Sequence, residues 1–175
     1  IKEVLDMDFK YYHIWVYGFS QYTPEPAGKK DDTAQIKFIN GYSKKHKEAL
    51  YKEVYDFTSH LLKTYSGTGK VFYLGNWEGD WHLRSDYDRT KPVNLKTLAG
   101  MTEWAKTRQK AIDDAKNAAN YNDVQVYHYM EVNLVRKALM EPDAKVVANS
   151  IVNVVNPDYV SYSSYDATNP YKNEE

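Results

Sequence analysis

The sequence predicts an α/β fold in which parallel β/α units form about half of a TIM-type barrel. Four strand-like segments alternate with long helical segments, and strands separated by such helices run parallel with right-handed crossovers. No Gly-x-Gly-x-x-Gly motif follows a strand, which removes the main reason to expect a dinucleotide fold. Since a barrel needs eight strands and about 250 residues, we expect residues 1–175 to be a single domain and a fragment of a (β/α)8 barrel.

The first half of the chain supplies a strand, a loop and a helix. Residues 11–19 are nearly continuous in aromatic and β-branched side chains, as in a strand covered on both faces. Residues 22–32 contain two prolines and a glycine and are predicted to form a loop. Ser43 is a natural N-cap for a helix over residues 44–65, which carries one apolar face and ends before two glycines.

The second half repeats the same alternation. A strand at residues 71–74 leads into a polar loop at residues 82–90, and Asn94 can cap the next helix. The remaining predicted elements are a helix with inward positions from 98 to 115, a strand at 124–130, a short helix at 134–140, a helix at 143–155, a strand at 159–163 and an irregular tail from 164 to 175.

Composition excludes several classes of function. The 23 basic and 24 acidic residues form no block of one sign, which argues against nucleic-acid binding and against electrostatic docking to a membrane. No apolar run approaches the roughly 20 residues of a membrane-spanning helix. There is no cysteine, so disulfides and thiolate sites are excluded. The chain begins with Ile1 rather than Met, so we expect that any start codon or signal peptide has been removed. The compartment is not fixed by the sequence, and a secreted or periplasmic location is the favoured expectation.

Polar and aromatic side chains collect where the predicted strands end. In parallel barrels the active site lies at the carboxyl ends of the strands, so this coincidence predicts a site there. Tryptophan next to carboxylates and amides is typical of a surface that binds sugars, although tryptophans that only cap the core are the competing interpretation. The predicted substrate-binding residues are Asn76, Trp77, Asp80, Trp81, His128, Asn133, Tyr162 and Asp166.

Two glutamates are the predicted catalytic residues. A glycosidase needs a carboxylic acid that protonates the leaving oxygen and a second carboxylate that acts as nucleophile or base. Glu78 follows a buried strand and has tryptophan neighbours, which would raise its pKa by desolvation. Glu131 leaves an adjacent strand and is a better partner than Asp80, although Glu131 could instead only cap the next helix. For His128 the favoured interpretation is a structural residue on its strand, and a hydrogen bond to a sugar hydroxyl is the alternative.

No metal ion or organic cofactor is expected. The sequence has no His-x-x-x-His or similar set of ligands. It also lacks the Gly-x-Ser-x-Gly motif of serine hydrolases.

Three segments carry a likeness to a known family. They are Leu-Leu-Lys-Thr-Tyr-Ser-Gly-Thr-Gly-Lys at 61–70 continuing into Asn-Trp-Glu-Gly-Asp-Trp at 76–81, Tyr-Met-Glu-Val-Asn-Leu-Val-Arg at 129–136, and Val-Ser-Tyr-Ser-Ser-Tyr-Asp at 160–166. Together they resemble a bacterial and fungal group of uncharacterised glycoside-hydrolase-like (β/α)8 proteins.

The resemblance implies that Glu78 matches the acid/base glutamate at the end of the fourth strand in the retaining glycosidase clan. Trp77 stands where that clan usually has Asn. The clan's nucleophile follows the seventh strand, which is expected to lie outside these 175 residues, and Glu131 does not match it.

The sequence therefore favours a glycoside hydrolase, or the acid/base half of one, acting on an unidentified oligosaccharide. A catalytically silent carbohydrate-binding module and a structural half-barrel are the alternatives. A half-barrel would form a homo-oligomer or associate with the missing barrel segment to cover its sheet edges.

Overall fold

A computed structural model describes residues 1–18, 38, 41–84, 88–118 and 120–168. Within these ranges strands alternate with helices, as the sequence predicts. The predicted loop at 22–32 and the end of the predicted tail lie outside the described residues. The elements, in chain order, are α1 (Lys2–Leu5), β1 (Tyr11–Trp15), α2 (Lys44–Thr64), β2 (Lys70–Gly75), α3 (Gly79–Leu83), α4 (Leu95–Asn117), β3 (Val124–Val132), α5 (Val135–Met140), α6 (Val147–Ser150), α7 (Val152–Val155), β4 (Tyr159–Tyr162) and α8 (Tyr165–Thr168).

The strands form one sheet in the order β1-β2-β3-β4, and each neighbouring pair is parallel. Phe72 pairs with Tyr12 on one side and with Val126 on the other. The predicted α/β class with a parallel sheet is therefore confirmed. Because all four strands run parallel, their carboxyl ends lie together at one end of the sheet.

One face of the sheet is covered by the two long helices. α2 and α4 pack against each other and against the strands. Phe72 and Leu74 from β2, with Val126 and Met130 from β3, point into this layer and are buried. Burying such a side chain stabilises a fold by about 1.5–3 kcal/mol. The helix residues that complete this core include Leu50, Val54, Leu61, Met101, Trp104 and Ile112.

The ends of the long helices form as their sequences predict. The Ser43 hydroxyl accepts the backbone N–H of His46 at 3.3 Å at the start of α2. The Asn94 side chain accepts the N–H of Lys96 at 2.8 Å at the start of α4. Beyond α2, Gly67 has a φ of 81°, a backbone conformation that favours glycine. These contacts satisfy backbone groups that a helix end leaves unpaired.

The opposite face of the sheet carries a layer of aromatic side chains. His13 packs on the ring of Tyr129 with centroids 4.0 Å apart, and Tyr73 lies edge-on to Tyr159 at 5.1 Å. Tyr11 remains 62% exposed. Among the described residues this face therefore has much less cover than the helix-covered face, and we call it the aromatic face.

The structure differs from the sequence prediction at several places. α1 was not predicted, and α8 lies in the tail that was predicted to be irregular. β1 ends at Trp15, and residues 16–18 are irregular. The predicted helix over 143–155 is interrupted at Ile151, whose φ of −121° is not helical, so two short helices replace it. The segment after β2 forms α3, although a polar loop was predicted from residue 82 onward.

Candidate functional site

The carboxyl ends of β2 and β3 bring the two predicted catalytic glutamates together. Leu74 pairs with His128, so the segments that follow Leu74 and His128 emerge side by side. The backbone N–H of Glu78 donates a hydrogen bond to Oε1 of Glu131 at 2.8 Å. The side chain of Asn133 donates to the same oxygen at 3.3 Å. We refer to Glu78, Glu131 and Asn133 as the carboxylate cluster.

Glu78 lies in an unusual backbone conformation. Its φ of 48° and ψ of 57° place it in the left-handed region, which costs free energy in residues other than glycine. Gly79 follows, and a Cβ there would lie only 2.1 Å from the backbone oxygen of Glu131. The sharp turn from β2 into α3 is therefore held against β3 by close backbone packing and by the hydrogen bond to Glu131.

The two carboxyl groups have different hydrogen-bonding surroundings, although burial raises the pKa of both. Burial raises the pKa of Glu78, and the negative charge of Glu131 raises it further. Burial also raises the pKa of Glu131, but the Glu78 N–H and the Asn133 amide oppose that change because they bond to its ionised form. Both carboxyl groups therefore have raised pKa values, and Glu131 has in addition hydrogen bonds that favour its ionised form.

Asp80 holds the framework beneath the cluster. Its side chain is 0% exposed. One oxygen accepts the N–H groups of Asn133 and Leu134 at 2.9 and 3.1 Å, and the other accepts the N–H of Val147 at 2.9 Å. Arg84 lies 3.7 Å away as a buried ion pair. These contacts tie α3 to β3 and α6, so the role that the structure gives Asp80 is positioning, not substrate contact.

Tyr17 and His82 hold the backbone beside Glu78. The Tyr17 hydroxyl accepts the N–H of Trp77 at 2.9 Å and lies 3.2 Å from Nε2 of His82. Burial lowers the pKa of His82 to about 4, so its imidazole is neutral near pH 7. These contacts join the segment after β1 to the Glu78 turn.

A buried guanidinium lies under the ends of β1 and β2. Arg108 of α4 is fully buried and donates to the carbonyl oxygens of Val16 at 2.6 Å and Gly75 at 2.9 Å. Burial lowers its pKa to about 10, which leaves it charged near neutral pH. Arg108 was absent from the predicted site, although its position in the apolar stripe of α4 was a signal of a buried cation.

The other predicted substrate-binding residues lie in different surroundings. His128 and Asn76 are fully buried, and Nδ1 of His128 lies 2.8 Å from the Gln109 amide oxygen on the helix-covered side. Their burial removes both side chains from direct contact with a substrate in this structure. Trp81 is half-buried in α3. Tyr162 donates to Asp166, which also accepts the N–H of Arg136 and so links β4, α5 and α8.

Trp77 is the predicted aromatic residue that the structure leaves most open, and it has an unpredicted partner. Its indole lies beside that of Trp15, the last residue of β1, with ring centroids 5.4 Å apart. Trp15 ends a strand of continuous aromatic residues, so its sequence position alone did not distinguish it from its neighbours.

Comparisons with protein-family models, with curated proteins and with solved structures find no match for this chain. Within the described residues, no group of three or more histidine, aspartate or glutamate side chains is arranged to hold a metal ion. None of the helices in the described ranges is long and apolar enough to cross a membrane. The function must therefore be inferred from the geometry of the site itself.

Proposed function

We propose that this chain carries the acid/base part of a glycoside hydrolase site, with Glu78 as the general acid. The observation that carries this proposal is the hydrogen bond from the backbone N–H of Glu78 to the carboxylate of Glu131, across the ends of two parallel strands. A carboxylic acid kept protonated next to an ionised carboxylate is what hydrolysis of a glycosidic bond requires.

In the proposed reaction the carboxyl group of Glu78 gives its proton to the glycosidic oxygen as the bond to the sugar breaks. Desolvation and the charge of Glu131 both favour the protonated form that this step needs. Glu131 is the partner carboxylate and also holds the Glu78 turn through the backbone N–H. Asn133 steadies Glu131 through its amide group.

We also propose that the sheet is part of a (β/α)8 barrel. Support comes from the sequential order of four parallel strands and from the packing of both long helices on the same face. A doubly wound sheet reverses its strand order and carries helices on both faces. In a barrel the aromatic face would be the interior, and the likeness of residues 76–81 to glycoside-hydrolase-like barrels points the same way.

We expect Glu78→Gln to lower kcat/KM on aryl glycosides by about 10²–10⁴-fold, because the amide has no proton to donate. The measurement is release of nitrophenol from a panel of nitrophenyl glycosides that differ in sugar and in anomeric configuration. Glu103→Gln is the control, since Glu103 lies on the surface of α4 and pairs with Lys47. An unchanged rate in Glu78→Gln would remove Glu78 from the chemistry.

The same substitution should change how stability depends on pH. The pKa of Glu78 is raised in the folded protein, so the folded state binds this proton more tightly than the unfolded chain. The stabilisation that Glu78 contributes is therefore present at low pH, and it is lost as the pH rises above the ordinary glutamate pKa of 4.5 through the raised pKa of the folded protein. We expect the wild type to lose more thermal stability than Glu78→Gln between about pH 4 and pH 8. Parallel melting curves would contradict a raised pKa.

A structural or sugar-binding half-barrel is the second candidate. The observation that favours it is the exposure of the aromatic face, where Tyr11 is 62% and Tyr159 46% exposed. Wide apolar exposure of this kind marks surfaces that bind other molecules. Sedimentation measurements over a range of concentrations distinguish this candidate, because a half-barrel that pairs with a second copy forms a dimer.

A further inference from the structure

Trp15 and Trp77 form an exposed pair of indoles at the carboxyl end of the sheet. Their ring centroids are 5.4 Å apart and their planes meet at 31°. Trp15 is 57% exposed and Trp77 is 43% exposed. An indole in the core has little solvent exposure: the side chain of Trp104, for example, is 0% exposed. We call Trp15 and Trp77 the indole pair.

The backbone around the indole pair is held in place. Trp15 pairs in the sheet with Gly75, whose carbonyl oxygen accepts from Arg108. The backbone N–H of Trp77 donates a hydrogen bond to the hydroxyl of Tyr17 at 2.9 Å. Both indoles are therefore attached to fixed backbone while a large part of each stays open to solvent. A fixed aromatic surface binds a ligand with little loss of conformational entropy.

The indole pair adjoins the proposed acid along the chain through Trp77. Trp77 directly precedes Glu78, whose N–H bonds to Glu131. A sugar ring presents a flat face of C–H groups and a rim of hydroxyls. Indole surface suits the C–H face, and nearby carboxyl groups suit the hydroxyls, since aromatic rings and a few polar groups are the usual lining of a ligand site.

The charges beside the pair discriminate between classes of sugar. The carboxylate of Glu131 is negatively charged, so a uronic acid or a sulfated sugar placed there would meet like charge. The guanidinium of Arg108 is fully buried and directed at the carbonyl oxygens of Val16 and Gly75. It therefore does not present an ion pair to a sugar carboxylate at the surface.

We propose that Trp15 and Trp77 form a binding subsite for a neutral pyranose ring next to Glu78. This subsite rests on the proposed function, because it names the class of sugar that would occupy the neighbouring position. Trp15 is the residue that this subsite adds to the proposed glycosidase site. Its role is to bind the ring that flanks the scissile bond, not to take part in proton transfer.

The test measures binding separately from turnover. Titration calorimetry is carried out in the Glu78→Gln background with cellohexaose, xylohexaose, mannohexaose and, as the acidic probe, hexagalacturonate. We expect at least one neutral hexasaccharide to bind and Trp15→Ala to weaken it by about 10–50-fold, as for central tryptophans of other binding sites. Trp15→Phe should keep most of the affinity because it retains an aromatic ring.

Phe9→Ala is the matched control. Phe9 is 59% exposed and precedes the amino end of β1, opposite the indole pair. We expect this variant to bind as tightly as its parent. The subsite is overturned if Trp15→Ala leaves affinity unchanged, if hexagalacturonate binds more tightly than every neutral probe, or if no neutral probe binds.

The result is distinguishable from failure of the proposed function. Binding that depends on Trp15, in a protein whose wild type hydrolyses none of the glycosides, would keep the subsite and reject hydrolysis. Hydrolysis that depends on Glu78, with affinity that is independent of Trp15, would keep the enzyme and reject the subsite. Circular dichroism and melting curves confirm that each variant is folded.

Discussion

Asp80→Asn is expected to lower the free energy of unfolding by about 3–5 kcal/mol, the largest loss of stability that we predict for a single isosteric change. The carboxylate accepts backbone N–H groups of Asn133, Leu134 and Val147 and pairs with Arg84. An asparagine keeps one acceptor oxygen, but its NH₂ group must face at least one N–H donor. Arg84 also loses its buried counter-charge. The measurement is urea unfolding followed by circular dichroism.

Asp114→Asn is the control for the loss of a carboxylate. Asp114 lies on the surface of α4, where it accepts hydrogen bonds from Tyr51 and Lys110. Exposed ion pairs contribute about 0–1 kcal/mol, so this variant should unfold near the wild-type midpoint. Equal losses in the two variants would contradict a framework role for Asp80. A selective loss would show that the turn carrying Glu78 is stabilised from beneath by Asp80.

The alternation of strands and helices was predictable because it rests on patterns within short segments. The spacing of apolar residues along α2 and the cap at Ser43 are local signals, and the structure contains both. The same holds for α4 and Asn94. Parallel pairing followed from the length of these helices, since strands joined by a long crossover cannot form hairpins.

The role of Asp80 was not predictable because its partners are distant in sequence. It was assigned to substrate on the ground that it follows a strand, yet its oxygens are occupied by N–H groups from the segment after β3 and from α6. The partner at Val147 lies 67 positions further along the chain. No periodic pattern encodes such a contact. The carboxyl end of a strand therefore indicates where a site lies but not which of its acids is open to substrate.

The interrupted helix at residues 143–155 has a related cause. The apolar spacing of this segment predicts one continuous helix. Val147 and Ile151 are buried as expected, but Val154, also expected to face inward, is 52% exposed. The N–H of Val147 is bonded to Asp80, and Ile151 leaves the helical conformation. Packing against α3 thus competes with local helix formation, and tertiary contacts prevail over propensity.

The second large effect that we expect is for Glu131→Gln, which should lower kcat/KM on aryl glycosides by about 10²–10⁴-fold. Glutamine retains an oxygen that can accept the N–H of Glu78, so the turn can persist. What disappears is the negative charge that raises the pKa of Glu78. Removing a neighbouring like charge favours ionisation, so the pKa of Glu78 should fall. The basic limb of the pH–rate profile should therefore move to lower pH, whereas Glu103→Gln should leave it in place.

The low-pH end of that profile separates two roles for Glu131. If Glu131 acts only by keeping Glu78 protonated, then lowering the pH below the new pKa of Glu78 restores the proton and with it the wild-type rate. If Glu131 is also the base or nucleophile, the rate stays low at every pH, because glutamine supplies no carboxylate. A Glu131→Gln variant with the wild-type rate and an unmoved basic limb would contradict both roles. Because Glu131 is 6% exposed, its role as base or nucleophile also requires that a bound sugar contact its carboxylate directly.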